Sequence, residues 1–218
     1  VTAEAGALPF EPPPDNCPLC PRLAGFRAEN RETFPAFHNA PVASFGPDDA
    51  RLLVVGLAPG LKGANATGRP FTGDYAGDLL YGTLAKFGFT RGRYGGRADD
   101  GLALVDARIT NAVRCVPPEN KPVGAEIANC RPFLVREIES LAKLSIILTL
   151  GTIAHYSVLT ALGLRRAAYP FSHGALYELP DRPALIASYH CSRYNTNTGR
   201  LTPEMFEDVF ATIRGRLK

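Results

Sequence analysis

Most side chains able to do chemistry in this 218-residue chain fall in two polar stretches and a set of cysteines. The first stretch, Gly56–Asp74, reads GLAPGLKGANATGRPFTGD and holds five glycines, two prolines, one aromatic ring and one carboxylate. Glycines let a backbone approach a flat ligand closely, and prolines stiffen the wall around it. The stretch is therefore expected to form one wall of a pocket, with Phe71 as a stacking face and Asp74 as its polar group. The second stretch, SYHCSRYNTNTGRL (Ser188–Leu201), places His190 directly after an apolar run. Ser192, Arg193, Asn195, Thr196 and Arg200 follow it. Short hydroxyl and amide side chains together with arginines are common contacts to phosphate oxygens, although a solvated turn-rich loop has the same composition.

Five cysteines are present. Cys17 and Cys20 form a tight C-x-x-C, and Cys115 and Cys130 form a wider pair, C-x14-C. An odd number without an export pattern argues against a disulfide framework. The second pair is too wide for a zinc-ribbon knuckle, and prolines lie near three of the four, as they often do near iron–sulfur ligands. Spacing alone leaves an iron–sulfur cluster, a zinc ion and unrelated buried thiols all open. Cys191 stands outside the set and is expected to be packing.

These groups need a frame. RLLVVG (51–56), the run 102–113, SIILTL (145–150) and Leu185–Tyr189 read as strands, apolar throughout or loosely alternating. Between them, Asp78–Phe87, the segment around Ile127, Leu134, Ile138 and Leu141, and residues 152–163 keep helical spacing. Thr202-Pro203 opens a last helix, with a hydroxyl at the N-cap and Pro at N1. Phe171–Leu179 is expected to be a strand pair around His173-Gly174. Strands that are apolar on both faces and alternate with helices predict a parallel sheet covered on both sides. Parallel strands share direction, so both polar stretches should meet at one sheet edge. The expected organisation is a flexible proline-rich segment over 1–16 and one α/β domain over 17–218.

Net charge is +3, too mild to argue for a polyanionic partner by itself. No run of 18 apolar residues suggests a membrane span, and the opening residues lack a basic-then-apolar secretory pattern. A cytoplasmic protein is expected. The glycines at 56, 60, 63 and 68 do not fit G-x-G-x-x-G, and no G-K-[ST] follows. That argues against a nucleotide-dependent enzyme.

The stretches GLAPG…TGRPFTGD, NAVRCVPPENKP and SYHCSRYNTNTGRL, taken with the cysteine spacings, resemble the iron–sulfur uracil-DNA glycosylases. The likeness spans residues 17–210 and is greatest to the family 5, or B-type, branch. It implies a single α/β domain with a four-stranded parallel sheet flanked by helices, and a 4Fe-4S cluster near the N-terminus held by Cys17, Cys20, Cys115 and Cys130. It implies removal of uracil, and of hypoxanthine and other damaged bases, from double-stranded DNA by a monomer associated with a bacterial or archaeal nucleoid. Ala58 stands where other branches place Asp, Glu or Asn, which argues against the A-type branch. The basic insert KRRIH of a DNA-trapping relative is missing.

The resemblance also implies site roles. Gly56, Leu57, Ala58, Pro59, Phe71 and Asn111 would bind the flipped base. His190 would polarise it, Asn120 would be catalytically important, and Asp74 would orient water or stabilise a cationic sugar unless it only caps the next helix. Ser192, Arg193, Tyr194 and Asn195 would grip DNA. A uracil-restricted A-type enzyme and a non-catalytic damage-binding module are the alternatives.

Overall fold

The structure is a computed structural model in which residues 10–218 are described. The first nine residues of the proline-rich segment, expected to be flexible, lie outside the described residues. Residues 10–16 touch the body of the chain: Arg31 donates to Asn16 Oδ1 at 2.8 Å, and Phe10 lies beneath the Arg114 guanidinium.

In chain order the elements are α1 (Pro21–Thr33), β1 (Leu52–Gly56), α2 (Ala64–Thr67), α3 (Tyr75–Lys86), β2 (Thr90–Arg91), β3 (Ala103–Leu104) and β4 (Ala107–Asn111). Then come α4 (Gly124–Ser140), β5 (Ile146–Leu150), α5 (Thr152–Ala161), β6 (Leu176–Tyr177), β7 (Ala184–Ser188), α6 (Arg193–Asn197) and α7 (Pro203–Arg216). The main sheet has the order β4-β1-β5-β7-β6.

The four strands β4, β1, β5 and β7 are parallel, as the apolar runs predict, and every residue in them is buried. Alternate residues feed the two faces. Leu52, Val54, Leu148 and Ile186 join Leu80, Leu84, Phe206 and Phe210 of α3 and α7. Leu53, Val55, Ile147 and Leu185 join Leu134, Ile138, Val158 and Leu159 of α4 and α5.

Three expectations are corrected. The sheet has five strands and is mixed, because β6 adds antiparallel to β7, with Leu176 opposite Ile186. The segment 171–179 is not a strand pair: His173 and Gly174 form a turn before β6 alone. The run 102–113 is two strands, broken at Asp106, which takes a positive φ of 59° while its carboxylate receives the Arg51 guanidinium. The first piece, β3, pairs with β2 in a separate hairpin. Among the described residues no helix is long and apolar enough to cross a membrane.

Candidate active site

The loops leaving the carboxyl ends of β1, β4 and β7 enclose a cleft of about 860 Å³. This is where parallel α/β sheets build sites, because strand direction sends all such loops to one edge. Leu57, Ala58 and Pro59 form one wall, and Phe71 and Asp74 return to it. His190 arrives from β7 on the other side of β5; its Cβ lies 3.5 Å from where a Cβ on Gly151 would stand. The rings of Phe71 and His190 are 5.8 Å apart at 29°. The two polar stretches therefore converge, as parallel strand direction requires.

Phe71 is buried and adopts a positive φ of 52°. Its ring lies on Gly56, where an added Cβ would come within 2.6 Å of Cζ and 2.4 Å of Asn111 Oδ1. Gly56 therefore makes room for the ring and the amide, and does not line the cleft as expected. Asn111 does line it, and its Oδ1 is buried without a partner. A buried acceptor left unpaired costs free energy, and this one lies beside Gly56 and the Phe71 ring in the wall of the cleft, with no partner among the described residues.

Asp74 is the N-cap of α3, accepting from Gly77 N at 3.1 Å through Oδ1. Its Oδ2 faces the glycine wall, 3.5 Å from a Cβ position on Gly60 and 2.5 Å from one on Gly63. One oxygen caps the helix and the other lies against the glycine wall of the cleft. His190 is held below the ordinary imidazole range by burial, which outweighs the opposing charge of Asp74. The ring is thus neutral at pH 7 and offers one N–H. Asn120 reaches the rim from a 3₁₀ turn after Pro117, where it and Glu119 both have positive φ.

The expected DNA-binding residues divide. Ser192 and Arg193 line the cleft, with the Arg193 guanidinium 5.4 Å from the Tyr75 ring centroid. Tyr194 is 72% exposed and outside it. Asn195 turns inward, donating to His190 O at 2.8 Å, and so braces the histidine. Residues 193–197 are helical, with Ser192 accepting from Asn195 N at 3.4 Å as N-cap. Sequence reasoning missed Lys62 and Tyr75, both in the lining. Lys62 sat inside the glycine stretch, so its position was the available signal.

The four thiols of Cys17, Cys20, Cys115 and Cys130 share one small cavity with Leu23, Val113 and Phe133. N–H donors meet three of the sulfurs: Arg27 Nη1 on Cys115 at 3.5 Å, Arg114 N on Cys130 at 3.4 Å and Asn129 Nδ2 on Cys20 at 3.8 Å. Burial raises the thiols of Cys20 and Cys130 and pushes Cys115 up to about 12. Arg27 is 5% exposed, and its two hydrogen-bond acceptors are the Cys115 sulfur and Cys17 O. Among the described residues no three Cys, His, Asp or Glu side chains are gathered as a single-ion site. Cys191 is fully buried, donates to Ala76 O and lies outside this group, in keeping with packing.

Beside this cavity, Glu137 accepts from Arg108 Nε at 2.8 Å, Thr110 Oγ1 at 2.8 Å and Arg114. Burial pushes its carboxyl up, but Arg114 and Arg108 more than offset that and hold it below the usual range.

Residues 43–214 match the family described as the uracil DNA glycosylase superfamily. A type-5 uracil-DNA glycosylase of Thermus thermophilus is 46% identical over 198 residues, covering 88% of this chain and 90% of that protein. One from Mycobacterium leprae is 41% identical over 202 residues, covering 89% and 88%. A third, from Pyrobaculum aerophilum, is 38% identical over 198 residues, covering 89% and 86%. With a cleft of this construction on a sheet of this order, the chain belongs to the uracil-DNA glycosylase superfamily and, within it, to the type-5 uracil-DNA glycosylases, hydrolases of DNA repair.

Proposed function

We propose that the cleft holds a nucleotide flipped out of double-stranded DNA and hydrolyses the bond between C1′ and the base nitrogen, leaving an abasic site. The observation that carries this reading is the meeting of Phe71, His190, Asp74 and the unpartnered Asn111 Oδ1 in one cleft. Flipping is required because a duplex hides the bond. The base stacks on Phe71, and the Asn111 amide reads its edge. As the bond breaks, the electron pair goes to the base and positive charge builds on the sugar. Groups aimed at those developing charges lower the barrier most.

The neutral His190 donates its N–H to the base oxygen beside the breaking bond. A neutral donor suits this role, since its N–H is a weak acid: it stabilises the leaving anion by a hydrogen bond and keeps its own proton. Asp74 Oδ2 stabilises the cationic sugar, and water then adds to C1′ and releases a proton. Asn120 closes over the substrate from the rim. Ser192 and Arg193 take backbone phosphates, and Tyr194 stands ready to fill the gap in the duplex. Ala58 puts no polar atom against the base, so the wall reads little of its identity, and hypoxanthine is accepted beside uracil.

The four thiols that line one small cavity support a 4Fe-4S cluster held by Cys17, Cys20, Cys115 and Cys130. A single zinc draws its ligands to about 2.3 Å from one point, whereas a cluster spreads four thiolates over separate irons. The Arg27 guanidinium beside them meets no carboxylate among the described residues and donates to the Cys115 sulfur, a placement that favours an anion there, and a thiolate-ligated cluster is one. Bound there, the cluster supplies a cross-link between the α1 turn, the loop after β4 and α4.

Duplexes carrying uracil, hypoxanthine or xanthine test the reading, with free base, iron and sulfide measured together. Release of uracil and hypoxanthine by protein holding roughly four irons per chain is expected. Uracil release alone would refute the broad specificity ascribed to the Ala58 wall. Binding without release would mean a damage-binding module.

A further inference from the structure

The loop between β2 and β3, residues 92–102, reaches under the cleft and holds the turn that carries Phe71. Asp100 forms a bidentate pair with Arg69, at 2.8 and 2.7 Å, and both side chains are almost fully buried. The same carboxylate accepts from Gly95 N and Leu102 N, so the loop closes on the group it presents. Arg69 Nε in turn donates to Thr72 Oγ1 at 2.8 Å. The guanidinium lies among the rings of Phe45, Tyr81 and Tyr94, 5.1–5.6 Å from their centroids.

Tyr94 makes the second attachment. Its hydroxyl donates to Phe71 O at 3.3 Å and accepts from Gly73 N at 3.4 Å, so it spans the turn between Phe71 and Asp74. Its ring stacks on Tyr81 at 4.5 Å, and Tyr81 donates to Pro70 O at 2.7 Å. Space for the Phe71 carbonyl depends on Gly77, where a Cβ would stand 1.9 Å from Phe71 O and 2.6 Å from Tyr94 Oη. A non-glycine residue at positive φ persists only where its surroundings over-determine it. Here two side chains of a distant loop do so, on the residue that faces His190.

We propose that Tyr94 and Asp100 are positioning residues for the reaction, acting through the backbone turn to set the Phe71 ring and, through Gly73, the Asp74 carboxylate. This rests on the reading of the cleft given above. Small displacements at a reacting centre cost rate without weakening binding as much, so the signature is a loss in the chemical step.

The test is single-turnover uracil release by Tyr94→Phe, which keeps both ring contacts and removes only the hydroxyl. The expected result is a rate about 5–20-fold lower, with a melting temperature within 2 °C of wild type and unchanged affinity for abasic-site DNA. Asp100→Asn should lose more rate, together with stability. Combined with Phe71→Ala, Tyr94→Phe should cost less than alone, because the part of its effect carried by the Phe71 ring is already lost while the part carried through Gly73 to Asp74 remains. A Tyr94→Phe rate within twofold of wild type would overturn the proposal. So would a loss that only follows a fall in melting temperature, or a double-variant loss equal to the product of the single ones. If Phe71→Ala itself released uracil at the wild-type rate, the reading of the cleft would fail first.

Discussion

Under the proposed reading Asp74 has two jobs in one carboxylate, and substitution can separate them. Oδ1 caps α3 through Gly77 N, and Oδ2 faces the cleft. Asn caps a helix about as well as Asp, whereas Ala loses roughly 1 kcal/mol, about 2–4 °C in a chain of this size. The electrostatic job scales differently. A unit charge about 4 Å from a developing cation is worth about 4 kcal/mol at an effective dielectric of about 20, or roughly 10³ in rate. Asp74→Asn should therefore melt within about 1 °C of wild type, yet release uracil 10²–10³-fold more slowly under single-turnover conditions. Asp74→Ala should be equally slow and also melt lower. If both variants cleave within threefold of wild type while only Asp74→Ala melts lower, the carboxylate is a cap alone and the reasoning fails.

Glu137→Gln leaves Arg108 and Arg114 without their buried counter-charge, so a loss of about 3–5 kcal/mol is expected; chemical denaturation would measure it. His155 and His173 are both held below the ordinary imidazole range, chiefly by burial. The unfolded chain takes up their protons below about pH 6.5 before the folded one does, so stability should fall as pH drops through that value. Melts from pH 7.5 to 5 would show the slope, and a flat profile would contradict it. Arg27→Gln removes the cation beside Cys115, so the reduction potential of the 4Fe-4S cluster proposed above should move negative by on the order of 100 mV, as voltammetry on DNA-free protein can read.

The sequence revealed what depends on local pattern. Apolar runs located β1, β5 and β7, and the shared direction of parallel strands brought Phe71 and His190 together across about 120 residues of chain. Thr202 caps α7 from its hydroxyl as its position before Pro203 suggests. What stayed hidden is set by tertiary context. β6 is two residues long, too short for any period to register. The break at Asp106 comes from a positive φ sustained by the Arg51 pair. Gly56 reads as a pocket glycine, yet its value lies in the space it leaves for Phe71 and Asn111. Asn195 has the composition of a DNA contact but turns back to His190. The Arg69–Asp100 pair joins residues 31 positions apart, and neither stretch announces the other.

In the proposed reaction a neutral His190, facing the Phe71 platform, stabilises the departing base. Single-turnover release of uracil from duplex DNA by His190→Ala tests it most directly, with abasic-site binding and melting temperature measured on the same protein. Loss of one such donor should slow release by about 10²–10³ while binding and melting stay close to wild type. Release within threefold of wild type would place the chemistry elsewhere in the molecule.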